Sequence, residues 1–291
     1  MHLCRLSYIL AVGTALFAQA AVAHSQQPDA GAQSLQVMRR HVASLKAVGQ
    51  APDKTDKPLE LLSTPVLRYS DPGGITTDAS IWVWQASGKG RPPAMAGIFF
   101  LTLDTGENKW SCELLSLADR PVAVSSGAGW HWSPDDGDLD WFTLTDKPAD
   151  EDKLRLRQMK DIARSYEITT TEKTLKTRLR LMVQPLHRYA DEATGLLDGA
   201  IFAYAAGTNP ESLLLVECRK GEKGLAWHGA FARFGANACE ATTDDTVVWK
   251  RPAVERWEPK AAYFSRFGAA WKVFEVEEPG NKSESSPSAE K

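Results

Sequence analysis

The sequence predicts an α+β protein of two related units, each a helix followed by a four- to five-stranded antiparallel meander. Three observations predict it. First, the chain repeats itself: Leu59–Trp84 reads LELLSTPVLRYSDPGGITTDASIWVW and Leu179–Tyr204 reads LRLMVQPLHRYADEATGLLDGAIFAY. Eight positions match at a constant offset of 120, among them Pro65/Pro185, Arg68/Arg188, Tyr69/Tyr189, Asp71/Asp191, Asp78/Asp198 and Ile81/Ile201. Further on, Trp110 meets Trp227 and Trp132 meets Trp249 at an offset of 117, so a three-residue deletion in a turn explains the change. Self-similarity of this kind means one structural unit used twice. Second, each copy follows a stretch with helical apolar spacing. Third, each contains strand-like runs separated by Gly, Pro and Asp turns, as in a meander.

The elements follow in order. Residues 1–23 read as a signal peptide: Arg5 gives a positive start, Leu6–Ala18 is mostly apolar, and Ala21-Val22-Ala23 is a small-x-small cleavage site. Residues 24–34 are a polar lead-in. In the first unit, 35–150, Leu35, Met38, Val42, Leu45 and Val48 form a helical stripe. Ala51–Pro58 is a Pro- and Lys/Asp-rich linker. Strands are expected at Leu59–Ser63, Ala79–Gln85, Ala96–Leu103, Trp110–Leu117 and between Val122 and Trp132. Ser133–Asp150 is acidic and separates the copies. In the second unit, 151–276, Leu154–Tyr166 is helical, with acids at its N-terminus as the helix dipole prefers. Strands are expected at Thr177–Val183, Ala200–Ala205, Leu213–Arg219, Trp227–Phe234 and Thr246–Lys250. Tyr263–Val276 reads as a last strand or pair docking on the second unit. Residues 277–291 are Ser/Glu/Lys/Pro-rich and read as a disordered tail.

Charge and composition narrow the function. Cleavage would remove Arg5 and no acid, so the formal charge of −3 becomes one unit more negative. That mild acidity argues against nucleic acid as a partner, which requires a basic stripe. No segment after the signal approaches 18 apolar residues, so no transmembrane segment is expected. The expectation is a periplasmic or secreted protein. The mature cysteines, Cys112, Cys218 and Cys239, are odd in number, so at least one thiol stays unpaired; a Cys218–Cys239 bridge is open, and three buried side chains is the simpler reading.

The strongest local motif is Pro-x-x-Arg-Tyr-x-Asp, followed seven residues later by a second Asp. It supplies the candidate ligand-binding residues Arg68, Tyr69, Asp71 and Asp78, and Arg188, Tyr189, Asp191 and Asp198. A guanidinium fork with two carboxylates suits an anionic or sugar ligand. The simpler reading is a lock in which Arg pairs with an Asp of its own unit. Trp82 and Trp84, like Trp130 and Trp132, lie at i and i+2 and share a strand face; such rows stack on sugars when exposed and fill cores when buried. Asp135, Asp136, Asp138 and Asp140 lack the EF-hand pattern and read as an acidic turn. The histidines lack HExxH spacing, and there is no GxSxG, P-loop or GxGxxG, so no metal or cofactor is expected.

The strings LRLRQMKDIARSY and LRLMVQPLHRYADEATGLLDGAIFAYAAGTNPESLLLVE, followed by TVVW, carry a resemblance. Over Leu154–Trp249, and more weakly over Leu35–Trp132, the chain resembles a group of uncharacterised predicted secreted proteins of planctomycete bacteria. The resemblance implies export and implies no activity, ligand or catalytic residue.

Two functions are carried forward. The first is a non-enzymatic binding or scaffolding protein of the cell envelope, whose partner is an envelope component or protein held in a groove between the units or on their aromatic faces. The second is a hydrolase of an envelope polymer using an Asp/Glu pair, with Asp191 and Asp198 as the pair. Two carboxyls about 5–10 Å apart in an open cleft would favour the enzyme. Functional residues are expected in Leu154–Trp249.

Overall fold

The computed structural model describes residues 30–86, 89–103, 105–127, 129–222 and 224–267. The expected signal peptide and C-terminal tail lie outside the described residues. Helix α1 (Ala30–Ser44) is followed by β1 (Lys46–Gln50), β2 (Asp56–Pro58), β3 (Glu60–Leu61), β4 (Leu67–Tyr69), β5 (Thr76–Ala86), β6 (Lys89–Thr102), β7 (Asn108–Ser116), β8 (Val122–Ser125) and β9 (His131–Trp132). Then come β10 (Phe142–Thr143), α2 (Asp152–Arg164), β11 (Glu167–Glu172), β12 (Leu175–Arg178), β13 (Arg180–Leu181) and β14 (His187–Asp191). A 3-10 turn at Glu192–Thr194 leads to β15 (Leu196–Ala206), β16 (Asn209–Gly221), β17 (Gly224–Arg233), β18 (Ala238–Thr243), β19 (Thr246–Arg251) and β20 (Tyr263–Phe267).

The α+β expectation of helix-then-meander units is overturned. Strands hold 53% of the described residues and helices 13%, and the strands form four antiparallel sheets. Two six-stranded sheets run β20-β7-β6-β5-β3 and β10-β17-β16-β15-β13, with β4 and β14 pairing β5 and β15 respectively. Two four-stranded sheets run β2-β1-β8-β9 and β12-β11-β18-β19. The physical reason lies in area. An α-helix is about 10 Å wide and strands lie about 4.8 Å apart, so one helix covers roughly two strands of a six-stranded sheet. The remaining outer face needs a second layer, and the four-stranded sheets supply it.

Side-chain alternation on the long strands sets the layers. On β5, Ile81 and Val83 point to a central core shared with Ile201, Ala203, Leu213 and Leu215 of the other six-stranded sheet. Trp82 and Trp84 point the other way, onto Met38 and Val42 of α1 and onto Val124 and Trp132 of the small sheet. On β15 the same split sends Phe202 and Tyr204 to Met159 of α2 and Trp249 of β19. The order of layers is therefore small sheet with helix, large sheet, large sheet, small sheet with helix.

Each large sheet ends in a strand donated by the other unit. Strand β10, near the end of the first unit, pairs β17, with Phe142 opposite Gly229. Strand β20, near the end of the second unit, pairs β7, with Phe264 opposite Leu114. The expectation that Tyr263–Val276 docks on the second unit is corrected: residues 263–267 complete the first unit's sheet, and 268–276 lie outside the described residues. Gly229 allows the exchange on one side, because a Cβ there would come 2.6 Å from the Phe142 ring.

Candidate functional site

The motif residues separate into a lock and a seam. Arg68 grips Asp78 with two hydrogen bonds, Nε to Oδ1 at 3.0 Å and Nη2 to Oδ2 at 2.7 Å, and also donates to the Gly31 carbonyl of α1 at 2.7 Å. Arg188 grips Asp198 in the same way, at 2.8 and 2.6 Å, and donates to the Asp152 carbonyl of α2 at 2.9 Å. Each pair ties the short strand β4 or β14 to its long neighbour and to a helix start. Arg155 of α2 adds a second guanidinium to Asp198 at 3.1 Å. Asp198 is 3% exposed, and the paired carboxylate holds the Arg188 guanidinium further above its usual pKa.

The lock residues are thus committed to structure. Replacing Asp198 with Ala leaves two guanidiniums facing a buried site, and the expected loss of stability is about 3 kcal/mol. Asp78→Ala should cost about 1 kcal/mol, because its Arg68 partner has 36% side-chain exposure. Urea unfolding of both variants measures the difference; equal losses would refute the assignment of Asp198 as the tighter lock.

Tyr69, Asp71, Tyr189 and Asp191 lie along the seam between the large sheets. The Tyr69 hydroxyl donates to Asn209 Oδ1 of the other unit at 2.6 Å. Tyr189 packs its ring over Gly199, where a Cβ would come 2.5 Å away, and donates to Glu217 at 2.9 Å. Burial pushes both phenols well above 10. Asp71 reaches the Gly207 turn of the second unit, and Asp191 reaches the Gly90 turn of the first. His187 and Gln85 join across the seam at 3.0 Å. The motif's Arg and second Asp act within a unit and its first Asp reaches the partner unit; of the two tyrosines, Tyr69 crosses to Asn209 while Tyr189 bonds Glu217 of its own unit.

Asp191 and Asp198 do not meet in one cleft. Asp191 lines an open cavity of about 470 Å³, while Asp198 is held on the outer face against α2. The cavity lies between the first unit's β1–β2 hairpin, its β5–β6 turn and Leu117–Pro121, and the second unit's Asp191, Thr194, Leu196 and Arg219. Five cationic residues line it, Lys57, Lys89, Arg91, Arg120 and Arg219, against two carboxylates, Asp119 and Asp191. Arg91 and Arg219 stand on a buried anchor: Glu217, with no side-chain exposure, lies 2.6 Å from Arg219 Nη2 and 3.6 Å from Arg91 Nε. Arg91 also pairs with Asp119 and lies 4.8 Å from the centre of the Trp141 ring. Sequence reasoning missed this site. Its cations span Lys57 to Arg219 and form no motif; the one local signal is Lys89-Gly90-Arg91, which opens β6.

The aromatic rows are core. Trp82, Trp84, Trp132, Phe202, Tyr204 and Trp249 are all buried, and Trp130 is half-buried against Arg266. They offer no ligand platform. Cys112, Cys218 and Cys239 are buried free thiols whose pKa values burial raises, and no bridge joins Cys218 to Cys239. The acidic turn is occupied by cations: Asp138 and Asp140 each pair with Arg251 at 2.9 Å, and Asp135 pairs with Lys260 at 3.3 Å. No described helix is long and apolar enough to cross a membrane. No family model matches the chain, and no curated protein or solved structure matches it.

Proposed function

We propose that the chain is an exported, non-enzymatic binding protein of the cell envelope that holds an envelope component in the cleft between its two units. The observation that supports this reading most is the cleft itself. It is open, draws its walls from both units, and has a volume within the roughly 300–1,000 Å³ of small-molecule sites. The central core fills much of the remaining inter-unit surface, and a second cavity there, between Leu115 and Asp138 of the first unit and Ala232 and Arg233 of the second, is smaller at about 130 Å³. The alternative hydrolase would need Asp191 and Asp198 to act together, and the pairing of Asp198 with Arg188 and Arg155 counts against that use.

Thermal melting with envelope fragments tests the reading. A ligand that binds only the folded chain at about 100 times its Kd adds about 2.7 kcal/mol, a rise of roughly 5 °C for a domain this size. Thr194 is an exposed residue on the cleft wall, and Thr194→Trp should abolish the rise by filling the cavity. A rise unchanged in Thr194→Trp would place the ligand elsewhere. Steady turnover of a polymer by the purified chain would overturn the binding reading in favour of the hydrolase.

A further inference from the structure

We infer that the cleft recognises its ligand through an oxyanion, a carboxylate or phosphate group received at Arg91. This rests on the binding reading above and adds the chemical class. Two independent observations carry it. The first is charge: the cleft wall gathers five cations and two carboxylates in a chain whose overall formal charge is negative. Lys57, Lys89 and Arg120 are exposed there and make no ion pair among the described residues. Such a concave cationic patch attracts anions from solution and focuses them at its base.

The second is a missing acceptor. Arg91 has only 9% side-chain exposure, and its Nη1 has no hydrogen-bond partner among the described residues. A buried donor left without an acceptor forfeits the hydrogen bonds it made to water. A planar guanidinium offers paired N–H groups that match the two oxygens of a carboxylate or phosphate. Its Nη2 is held by Asp119, which is 63% exposed and therefore weakly held. Glu217 fixes the other end of the guanidinium from behind. An incoming oxyanion takes the place of the Asp119 carboxylate and satisfies Nη1 at the same time. Asp119 is then a built-in competitor, and Trp141, against the Arg91 plane, reports the exchange.

Titration followed by tryptophan fluorescence and calorimetry tests this, with inorganic phosphate, glycerol 3-phosphate, N-acetylmuramic acid and the uncharged N-acetylglucosamine as probes. The expected result is binding of the anions and not of N-acetylglucosamine, weakened as salt rises. Asp119→Asn should tighten binding several-fold. The triple variant Lys57→Ala, Lys89→Ala, Arg120→Ala alters only exposed side chains, keeps the fold, and should lose about ten-fold in affinity. Arg91→Met should abolish binding, with Asp119→Asn as the decisive variant should Arg91→Met fail to fold over the buried Glu217. The phosphate and carboxylate arms identify which oxyanion the site prefers. Anion affinity unchanged in both the triple variant and Asp119→Asn would overturn the inference. Equal affinity for N-acetylglucosamine, lost in Thr194→Trp, would overturn it and leave the binding reading standing. No binding by any probe, and none by larger envelope fragments, would overturn both.

Discussion

Neither half of this chain is expected to fold alone. Fragment 30–150 lacks β20, and fragment 151–267 lacks β10, so each large sheet loses its donated edge strand. Each fragment also exposes its share of the central core. For the second half that share includes Ile201, Leu213, Leu215 and Phe234, all at or below 1% exposure. Leaving four such side chains in water forfeits about 1.5–3 kcal/mol each, on the order of 10 kcal/mol together, which matches the whole stability of a typical domain. Circular dichroism melts of either fragment should show no cooperative transition, and mixing the two should restore one, because each carries the strand the other lacks. The intact chain should melt in a single transition. A cooperative melt of fragment 151–267 alone would show that the exchanged strand and shared core are dispensable.

The exchange explains what the sequence displayed and what it concealed. The long strands were legible, because β5, β6, β15 and β16 alternate between two apolar faces and carry β-branched and aromatic residues. The helices were legible from their stripes, though α1 begins at Ala30, ahead of the apolar stripe that marked it, and ends at Ser44, so that Leu45 falls beyond it and Val48, read as the last helical position, lies in β1. The small sheets were legible only in part: strands were expected between Val122 and Trp132 and at Thr246–Lys250, but not at β1, β2, β11 and β18. In β1 one residue of five is buried, and in β11 two of six, so KAVGQ and EITTTE show no period that separates them from a linker. With β1 and β11 hidden, the helices are the only cover the sequence offers the meanders, which is the source of the α+β expectation. Partner choice was also hidden: β10 is two residues long, and nothing local in FT or YFSRF names a strand of the other unit. The Arg–Asp lock was readable because both residues recur at fixed spacing. The cleft was not, because tertiary packing alone assembles its cations.

Stability should fall as pH rises from about 6.5 to 8. Two carboxyls sit at the seam between the large sheets. Glu113 is pushed up to about 8 by burial, opposed by the neighbouring Tyr263 hydroxyl and raised further by Glu211. Although close, that hydroxyl makes no hydrogen bond of good geometry. Glu211 is pushed up to about 7 by burial; the Asn209 amide, 2.8 Å away, and Arg233 oppose this, and the Glu172 and Asp71 carboxylates add to it. In the unfolded chain both ionise near their ordinary value of 4.5. Below that pH neither state differs. Above it the unfolded chain releases protons that the folded chain still holds, so stability declines until each folded pKa is passed, and is flat beyond about 8. His41 works in the opposite sense at lower pH. Burial, helped by Arg40, lowers it to about 4, so its contribution grows from pH 4 to its unfolded value of 6.5 and is constant above. The window from 6.5 to 8 therefore isolates the carboxyl pair, and the expected loss there is on the order of 2 kcal/mol. Urea unfolding at pH 6.5, 7.2 and 8 measures it. Glu113→Gln with Glu211→Gln keeps the shape and removes the titration, so that variant should show a flat profile across the window. A flat profile in the wild-type chain, or an undiminished slope in the double variant, would show that the seam carboxyls ionise freely in the folded state.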